Sequence, residues 1–232
     1  MKKILLKMSG EALGNGTGDI YDPSFVDGVA AALRDCAAEG YQIALVVGAG
    51  NIWRGRRGAE MNHVTADHMG MLATVINSLC LKDAIIRLGG RARVMSAVSM
   101  MPFAEDYSAE KACGYMSEGD VVILGAGLGV PFMSTDTAGA VRAAEIGADT
   151  MLMAKNIDYI YTDDPRKNPG AERLERISCS ELLSRGLTAI DATAAAFCHA
   201  NGICIKVFGM KSPEDIKRAI RGEVTGTTVT SD

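Results

Sequence analysis

Apolar and polar positions in this chain fall into an alternation of two periods. Short continuous apolar runs are followed by glycine- or hydroxyl-rich turns, and then by segments whose apolar residues return every third or fourth position. Lys3 to Lys7 predicts a first buried strand, ending in Lys7-Met8-Ser9-Gly10, and the polar, glycine-rich stretch from Gly14 to Asp22 predicts a loop. Ser24 is placed to cap a helix through Glu39, with Phe25, Val29, Leu33 and Cys36 on one face and Gly40 as its stop. Gln42 to Val47 predicts the second strand. A strand, helix and strand in that order imply parallel pairing through a right-handed crossover.

The same alternation continues. Thr65 to Leu88 is a long helical pattern stopped by Gly89-Gly90, with Asp67 expected in its first turn and His63 and His68 near its start. Arg91 to Met95 predicts a strand, Ser108 to Glu118 a helix ended by Gly119, and Val121 to Leu124 another strand, which empties into a second glycine-rich loop from Gly125 to Asp136. Thr137 to Ile146 predicts a helix packed through Ala138, Val141, Ala144 and Glu145, with Ser134 and Thr135 at its entrance. Thr150 to Lys155 is an apolar strand, and Ile157 to Pro165 a short strand or hairpin before a polar loop through Gly170. Ser178-x-x-Glu181 and Ser212-x-x-Asp215 match capping boxes, the second with Pro213 at the first helical position. Asp191 is expected to cap a helix ending near Asn201-Gly202, Ile203 to Phe208 to form a buried strand, and Thr227 to Thr230 a terminal edge strand.

Neither linker nor low-complexity run interrupts the pattern, so residues 1–232 are expected to form one domain. Its fold class is α/β: a three-layer α/β/α sandwich around a mainly parallel central sheet. Such a sheet binds ligands beyond the carboxyl ends of its strands, where the glycine-rich loops gather.

Composition adds exclusions. A net charge of −4 argues against nucleic acid as a partner. No apolar run approaches the roughly 20 residues of a membrane span, and charge returns too early in Met1 to Lys7 for a signal peptide, so a cytoplasmic protein without a membrane partner is expected. Cys36, Cys80, Cys113, Cys179, Cys198 and Cys204 lack Cys-x-x-Cys spacing, which suits small reduced core residues rather than a metal site or disulfides.

The sharpest local chemistry lies in Leu45 to Gly55. A buried strand runs into Gly48-Ala49-Gly50, where the backbone can turn tightly and present N–H groups, and Arg54 adds a cationic fork. That suits phosphate, and equally a tight turn beside a solvated arginine. A dinucleotide fingerprint fails because Trp53 stands where its third glycine belongs, and Met210-Lys211-Ser212 lacks the glycines of a Walker A loop.

Five spaced motifs go further. Lys7 to Leu13 (KMSGEAL), Val47 to Gly55 (VGAGNIWRG), Ala66 to Thr74 (ADHMGMLAT), Pro131 to Asp136 (PFMSTD) and Tyr161 to Pro165 (YTDDP) occur in this order. Together they resemble the bacterial uridylate (UMP) kinases of the amino acid kinase superfamily, over the span from Lys2 to about Thr230. The resemblance implies transfer of the γ-phosphoryl group of ATP to UMP in pyrimidine nucleotide synthesis, with Mg2+ bound alongside ATP.

It also implies residue roles. Lys7, Met8, Ser9 and Gly10 would cradle the donor phosphates, with Gly50 and Arg54 on the ATP side of the transferred group. Lys155 or Asn156, Tyr161 and Asp164 would line the adenosine pocket. Ala49, Asp67 and the segment Leu128, Gly129, Val130, Pro131, Phe132, Met133, Ser134 and Thr135 would bind UMP, with Asp67 at the ribose hydroxyls. Asp136 and Asp191 would organise the lysine and magnesium, completing a catalytic set of Lys7, Arg54, Asp136 and Asp191 with no dedicated protein metal site.

The resemblance further implies a homohexamer, for which the helical face bearing Met69, Leu72, Ile76, Leu79 and Ile86 is a candidate contact, and regulation by UTP as inhibitor. Ala49 and Val130 depart from the family's frequent Gly and Asn. Lys82 and Arg93 are candidate contacts for a GTP activator, but Ile86 and Asp120 replace residues that are basic in activated relatives, so weak or altered GTP activation is expected. Other kinases of the superfamily and a non-catalytic nucleotide- or oxyanion-binding protein on the same fold are the alternatives.

Overall fold

The structure, a computed structural model, describes residues 2–14, 19–53 and 61–232. Arg54 and Gly55, and part of the loop expected from Gly14 to Asp22, lie outside the described residues. The strands are β1 (Lys3–Met8), β2 (Gln42–Val47), β3 (Ala92–Ser96), β4 (Glu105–Asp106), β5 (Val121–Gly125), β6 (Thr150–Lys155), β7 (Ile160–Tyr161), β8 (Arg173–Leu174), β9 (Arg176–Ser178), β10 (Ile205–Gly209) and β11 (Thr227–Thr230). The helices are α1 (Pro23–Ala38), α2 (His63–Arg87), α3 (Ala109–Ser117), α4 (Thr135–Ile146), α5 (Cys179–Ser184), α6 (Ala192–Asn201) and α7 (Glu214–Arg221), with a short 3-10 turn at Gly10–Leu13.

Nine strands form one sheet in the order β4-β3-β5-β2-β1-β6-β10-β11-β9. Every pairing is parallel except β10 with β11, so the central strands all end at one edge. Period-two alternation decides what each face carries. Ile4, Leu6 and Met8 of β1 point into the core under α1, α2 and α7, while Leu5 joins the core under α3, α4, α5 and α6. Lys7 shares the parity of Leu5. In β6, Leu152 and Ala154 take the first face and Met151 and Met153 the second, so Lys155 also ends on the α4 side.

Several expected boundaries shift for local reasons. Asp22, not Ser24, caps α1: its carboxylate accepts from the Ser24 and Phe25 N–H groups, and Pro23 then occupies the first turn. Asn62 caps α2 through the Val64 and Thr65 N–H groups, which starts the helix at His63 and leaves Asp67 beyond its first turn. Asp191 precedes α6 but makes no side-chain cap. Ser178 does cap α5 by accepting from Glu181 N–H. Ser212 leaves α7 uncapped, while Asp215 reaches back to the Lys211 and Ser212 N–H groups. Thr227–Thr230 is not an edge, because β9 pairs on its far side. Ile160–Tyr161 pairs with Arg173–Leu174 in a separate two-stranded ribbon. In α4 the buried residues include Ala138, Ala140, Ala143 and Ile146, whereas Ala144 and Glu145 are exposed. Cys204 is exposed, unlike the buried Cys36, Cys179 and Cys198.

The expectation that no stretch approaches the length and apolarity of a membrane span is corrected by α2. By length and composition α2 is apolar enough to span a bilayer, its mean hydropathy reaching 1.5 over an 18-residue window. Thr74, Asn77 and Ser78 interrupt the run, but its apolar residues outweigh them in the average. Ala73, Val75, Leu81, Ala84 and Ile85 on this helix are nonetheless buried inside the domain.

Candidate active site

The carboxyl ends of β1 and β2 place two glycine loops in contact. Gly48 N–H donates to Met8 O at 2.9 Å, and a methyl group on Gly10 would sit 2.3 Å from Gly48 O. Only glycine fits at that approach. The fully buried Asn77 of α2 fastens the Gly48 loop from behind: its Nδ2 donates to Gly48 O at 2.7 Å and to Asn51 Oδ1 at 2.8 Å, and its Oδ1 accepts from Tyr21 at 2.9 Å. Its polar atoms are thus satisfied by one backbone carbonyl of the turn and by the Asn51 and Tyr21 side chains. Nothing in the periodicity of the sequence singled Asn77 out.

On the α4 side, Lys7 Nζ lies 2.6 Å from Asp136 Oδ1, and Lys155 Nζ lies 2.8 Å from Asp136 Oδ2. Burial pushes the Asp136 carboxyl up, but the two ammonium groups prevail and hold it below the ordinary carboxylate value. Lys155 is pushed below the ordinary lysine value by burial, with Asp136 opposing and Lys7 adding to the fall. Asp191 is brought to the same place. Its Oδ2 accepts from Ser134 Oγ at 2.9 Å and from Thr137 Oγ1, and its N–H reaches Asp136 Oδ2 at 3.5 Å. This explains why Asp191 does not cap α6: its side chain is committed to α4. Lys7, Asp136 and Asp191 thus meet as expected, joined by Lys155, whose ammonium turns toward Asp136. Ser9 caps the turn at Gly10–Leu13 by accepting from Glu11 N–H.

Beside these groups opens a cleft lined by Ala49, Trp53, Ala66, Asp67, Gly70, Met71, Thr74, Ala126, Gly127, Leu128, Met133 and Thr135. Ala49, Asp67, Leu128, Met133 and Thr135 were expected here. Gly129, Val130, Pro131, Phe132 and Ser134 belong to the same loop without lining the cleft. Met71 and Thr74 went unrecognised because they lie within the long helical pattern, and Trp53 because it counted only as the residue that breaks a glycine fingerprint. Thr74 Oγ1 accepts from Ala126 N–H at 2.8 Å, which holds Ala126 at a φ of 61° where the loop turns. Asp67 Oδ2 accepts from Phe132 N–H at 2.8 Å, and the Phe132 ring stacks on His63 at 5.8 Å.

The remaining expected residues lie around this centre. Asn156 is exposed at the end of β6. Tyr161 donates to Asp158 at 2.8 Å, and Asp164 accepts from the Arg166 backbone and guanidinium at 3.0 Å. Away from the cleft, Arg93 binds the buried Asp120 at 3.0 Å, approaches Glu105 at 3.7 Å and stacks on Tyr115 at 4.7 Å. Arg91 Nε lies 2.5 Å from Asp120 Oδ1, as an ion pair without an aligned hydrogen bond. Lys82 is half-buried and Ile86 half-exposed on α2.

No group of three or more acids, histidines or cysteines capable of holding a metal occurs among the described residues. Asp136 and Asp191 instead suit magnesium that arrives on phosphates and keeps much of its water, since such ions need only one or two carboxylates from the protein.

The amino acid kinase family model matches residues 2–209. The UMP kinase of Bacillus anthracis has a similar structure, with a TM-score of 0.94 and 30% identity, over 100% of this chain and 96% of that one. The UMP kinase of Ureaplasma parvum superposes with a TM-score of 0.93 at 34% identity, over 99% of this chain and 98% of its own. The uridylate kinase of Archaeoglobus fulgidus gives 0.74 at 26% identity, over 99% of this chain and 100% of its own.

The charge cluster generates a pH prediction. A depressed folded-state pKa for Asp136 contributes stability that is present above the unfolded carboxyl value, about 4, and lost as pH falls through the folded value. Asp136→Asn strands two buried ammonium groups, so urea unfolding at pH 7 should show a loss of about 3–5 kcal/mol that shrinks steadily below pH ~4. A loss of the same size at both ends of that range would contradict the pairing.

Proposed function

The chain belongs to the amino acid kinase family, and on that premise we propose that it transfers the γ-phosphoryl group of ATP to UMP, giving UDP and ADP. The observation that carries the reaction type is the pair of lysines on one buried carboxylate at the carboxyl ends of β1 and β6, beside the cleft that holds Asp67. Likeness over almost the whole chain to two UMP kinases supports the acceptor.

The chemistry needs positioning and positive charge more than a covalent nucleophile. An oxygen of the UMP phosphate, already ionised at neutral pH, attacks the γ-phosphorus, and the bond to the bridging oxygen breaks to release ADP. Charge spreads over the equatorial oxygens in the transition state, where a preorganised ammonium such as Lys7 stabilises it. Asp136 holds that ammonium in place at 2.6 Å. Backbone N–H groups of the two glycine loops and of the α4 entrance are placed to receive phosphate oxygens. Magnesium bound with ATP supplies further positive charge, and Asp136 and Asp191 are the carboxylates that would hold it.

Asp67 is proposed to bind the ribose of UMP, and Ala49 and the Leu128–Thr135 loop to enclose the acceptor. Arg54 is proposed to act on the ATP side of the transferred group, with Asn156, Tyr161 and Asp164 toward the adenosine. Residues 1–232 are proposed to act as one domain in the cytoplasm, within pyrimidine and CTP synthesis, under inhibition by UTP. GTP is proposed to activate weakly. Arg93, a candidate contact, is already engaged by Asp120, Glu105 and Tyr115.

The proposed assembly is a homohexamer. Leu72, Ile76 and Ile86 are 52%, 50% and 50% exposed on α2, an apolar stripe suited to a partner subunit, while Met69 and Leu79 are half-buried.

A coupled ADP-release assay with UMP, CMP or no acceptor should show turnover that depends on UMP. Asp67→Asn should raise the KM for UMP by roughly tenfold and leave that for ATP within about twofold, since one charged hydrogen bond is removed. Turnover without acceptor, or equal rises in both KM values, would refute the assignment. Light scattering should report six chains. Ile76→Glu should lower that number, and a monomeric parent protein would refute the assembly.

A further inference from the structure

We propose that Thr74 is a positioning residue for the acceptor: from the middle of α2 its hydroxyl fixes the loop after β5 in the shape that receives UMP. The inference rests on the reading of the cleft as the acceptor side.

The argument begins with backbone strain. Among the described residues only two that are not glycine have a positive φ, Ala126 at 61° and Phe132 at 66°, and they stand at the two ends of this loop. An L side chain is disfavoured in that conformation, so each residue needs a contact that holds it there. Helix α2 supplies both contacts. Thr74 Oγ1 accepts from Ala126 N–H and Asp67 Oδ2 accepts from Phe132 N–H, each at 2.8 Å. The two acceptors lie about two helical turns apart, which puts them on one face of α2, along the length of the loop.

The two contacts differ in kind. Asp67 is half-buried at the cleft, where it can also meet a ligand. Thr74 is buried, and its hydroxyl donates to Met71 O at 2.7 Å while accepting from Ala126 N–H, so it acts on a substrate through the loop. Bonding back to its own helix gives α2 no stability, and valine has the same shape without the hydroxyl. Satisfying one buried N–H would be reason enough for a hydroxyl, but not for the strained backbone that it holds. The neighbouring contacts fix the same turn. A methyl group on Gly125 would sit 2.9 Å from Val75 Cγ2, so β5 ends pressed against α2 and the loop departs directly beside Thr74. Gly129 N–H returns to Ala126 O at 2.9 Å, and Arg142 of α4 donates to Gly127 O at 3.3 Å. Ala126, Gly127 and Leu128 line the cleft, so a rotation at Ala126 moves its wall.

The test compares the unmodified protein with Thr74→Val and Thr74→Ser, all checked for folding by circular dichroism. Thr74→Val should raise the KM for UMP by ~10-fold with the KM for ATP within ~2-fold, and Thr74→Ser, which keeps the hydroxyl, should restore the UMP value to within ~3-fold of the parent. Amide hydrogen exchange of the free protein should be faster across residues 126–132 in Thr74→Val, with β5 protected as before, and unaltered in Thr74→Ser. If the Val variant misfolds, Thr74→Ala is judged against Thr74→Ser by the same criteria. A UMP KM within ~2-fold of the parent in Thr74→Val, equal rises in both KM values, or unaltered exchange across the loop would overturn the proposal. The exchange measurement needs no substrate. A parent protein that does not phosphorylate UMP would therefore refute the acceptor reading, while exchange across the loop would still decide whether Thr74 holds it.

Discussion

The structure turns on one carboxylate. Asp136 sits in the first turn of α4, almost fully buried, with Lys7 on one oxygen and Lys155 on the other. It joins the ends of two adjacent parallel strands to the start of a helix, and so fixes where the sheet's positive charge is presented. A buried ion pair is weak evidence of stability, because desolvation offsets most of the Coulomb attraction. Its placement is better explained by what it prepares: ammonium groups aimed and partly dehydrated before a phosphate arrives.

The rest of the edge is built to hold that geometry. The Gly10 and Gly48 loops touch where no side chain could fit, and Asn77 holds the Gly48 loop with hydrogen bonds from the middle of α2. The same helix supplies Asp67 and Thr74, the second of which pins Ala126 in the loop after β5. A single long helix thus fastens the loops that carry both sides of the cleft. That explains why its buried face carries Asn77, Ser78 and Thr74 among apolar residues.

The alternation of strands and helices, and the parallel sheet, were legible because each long element repeats a clear period. Elements of two or three residues were not: β4, β8 and β9 bury too little to leave a pattern, and missing β9 made Thr227–Thr230 look like an edge. Caps were legible as residue types but not always as positions. Asp22 and Ser24 are both good caps, and the chain uses the one immediately before Pro23. In the site, Lys7, Asp67 and Asp136 stand in recognisable motifs, and Asp191 at a recognisable helix entry. Lys155 and Asn77 do not, since their roles depend on strand parity and on which helix face meets a distant loop. Arg54, prominent in the sequence, lies outside the described residues.

The central claim is that Lys7 and Asp136 act as one unit in stabilising the transferred phosphoryl group. A double-mutant cycle on kcat/KM for UMP phosphorylation, with Lys7→Met, Asp136→Asn and the double variant, measures this directly. The account predicts a coupling of about 2 kcal/mol or more, with the double variant hardly worse than the worse single one. Losses that simply add would mean that the two residues act independently, and would contradict it.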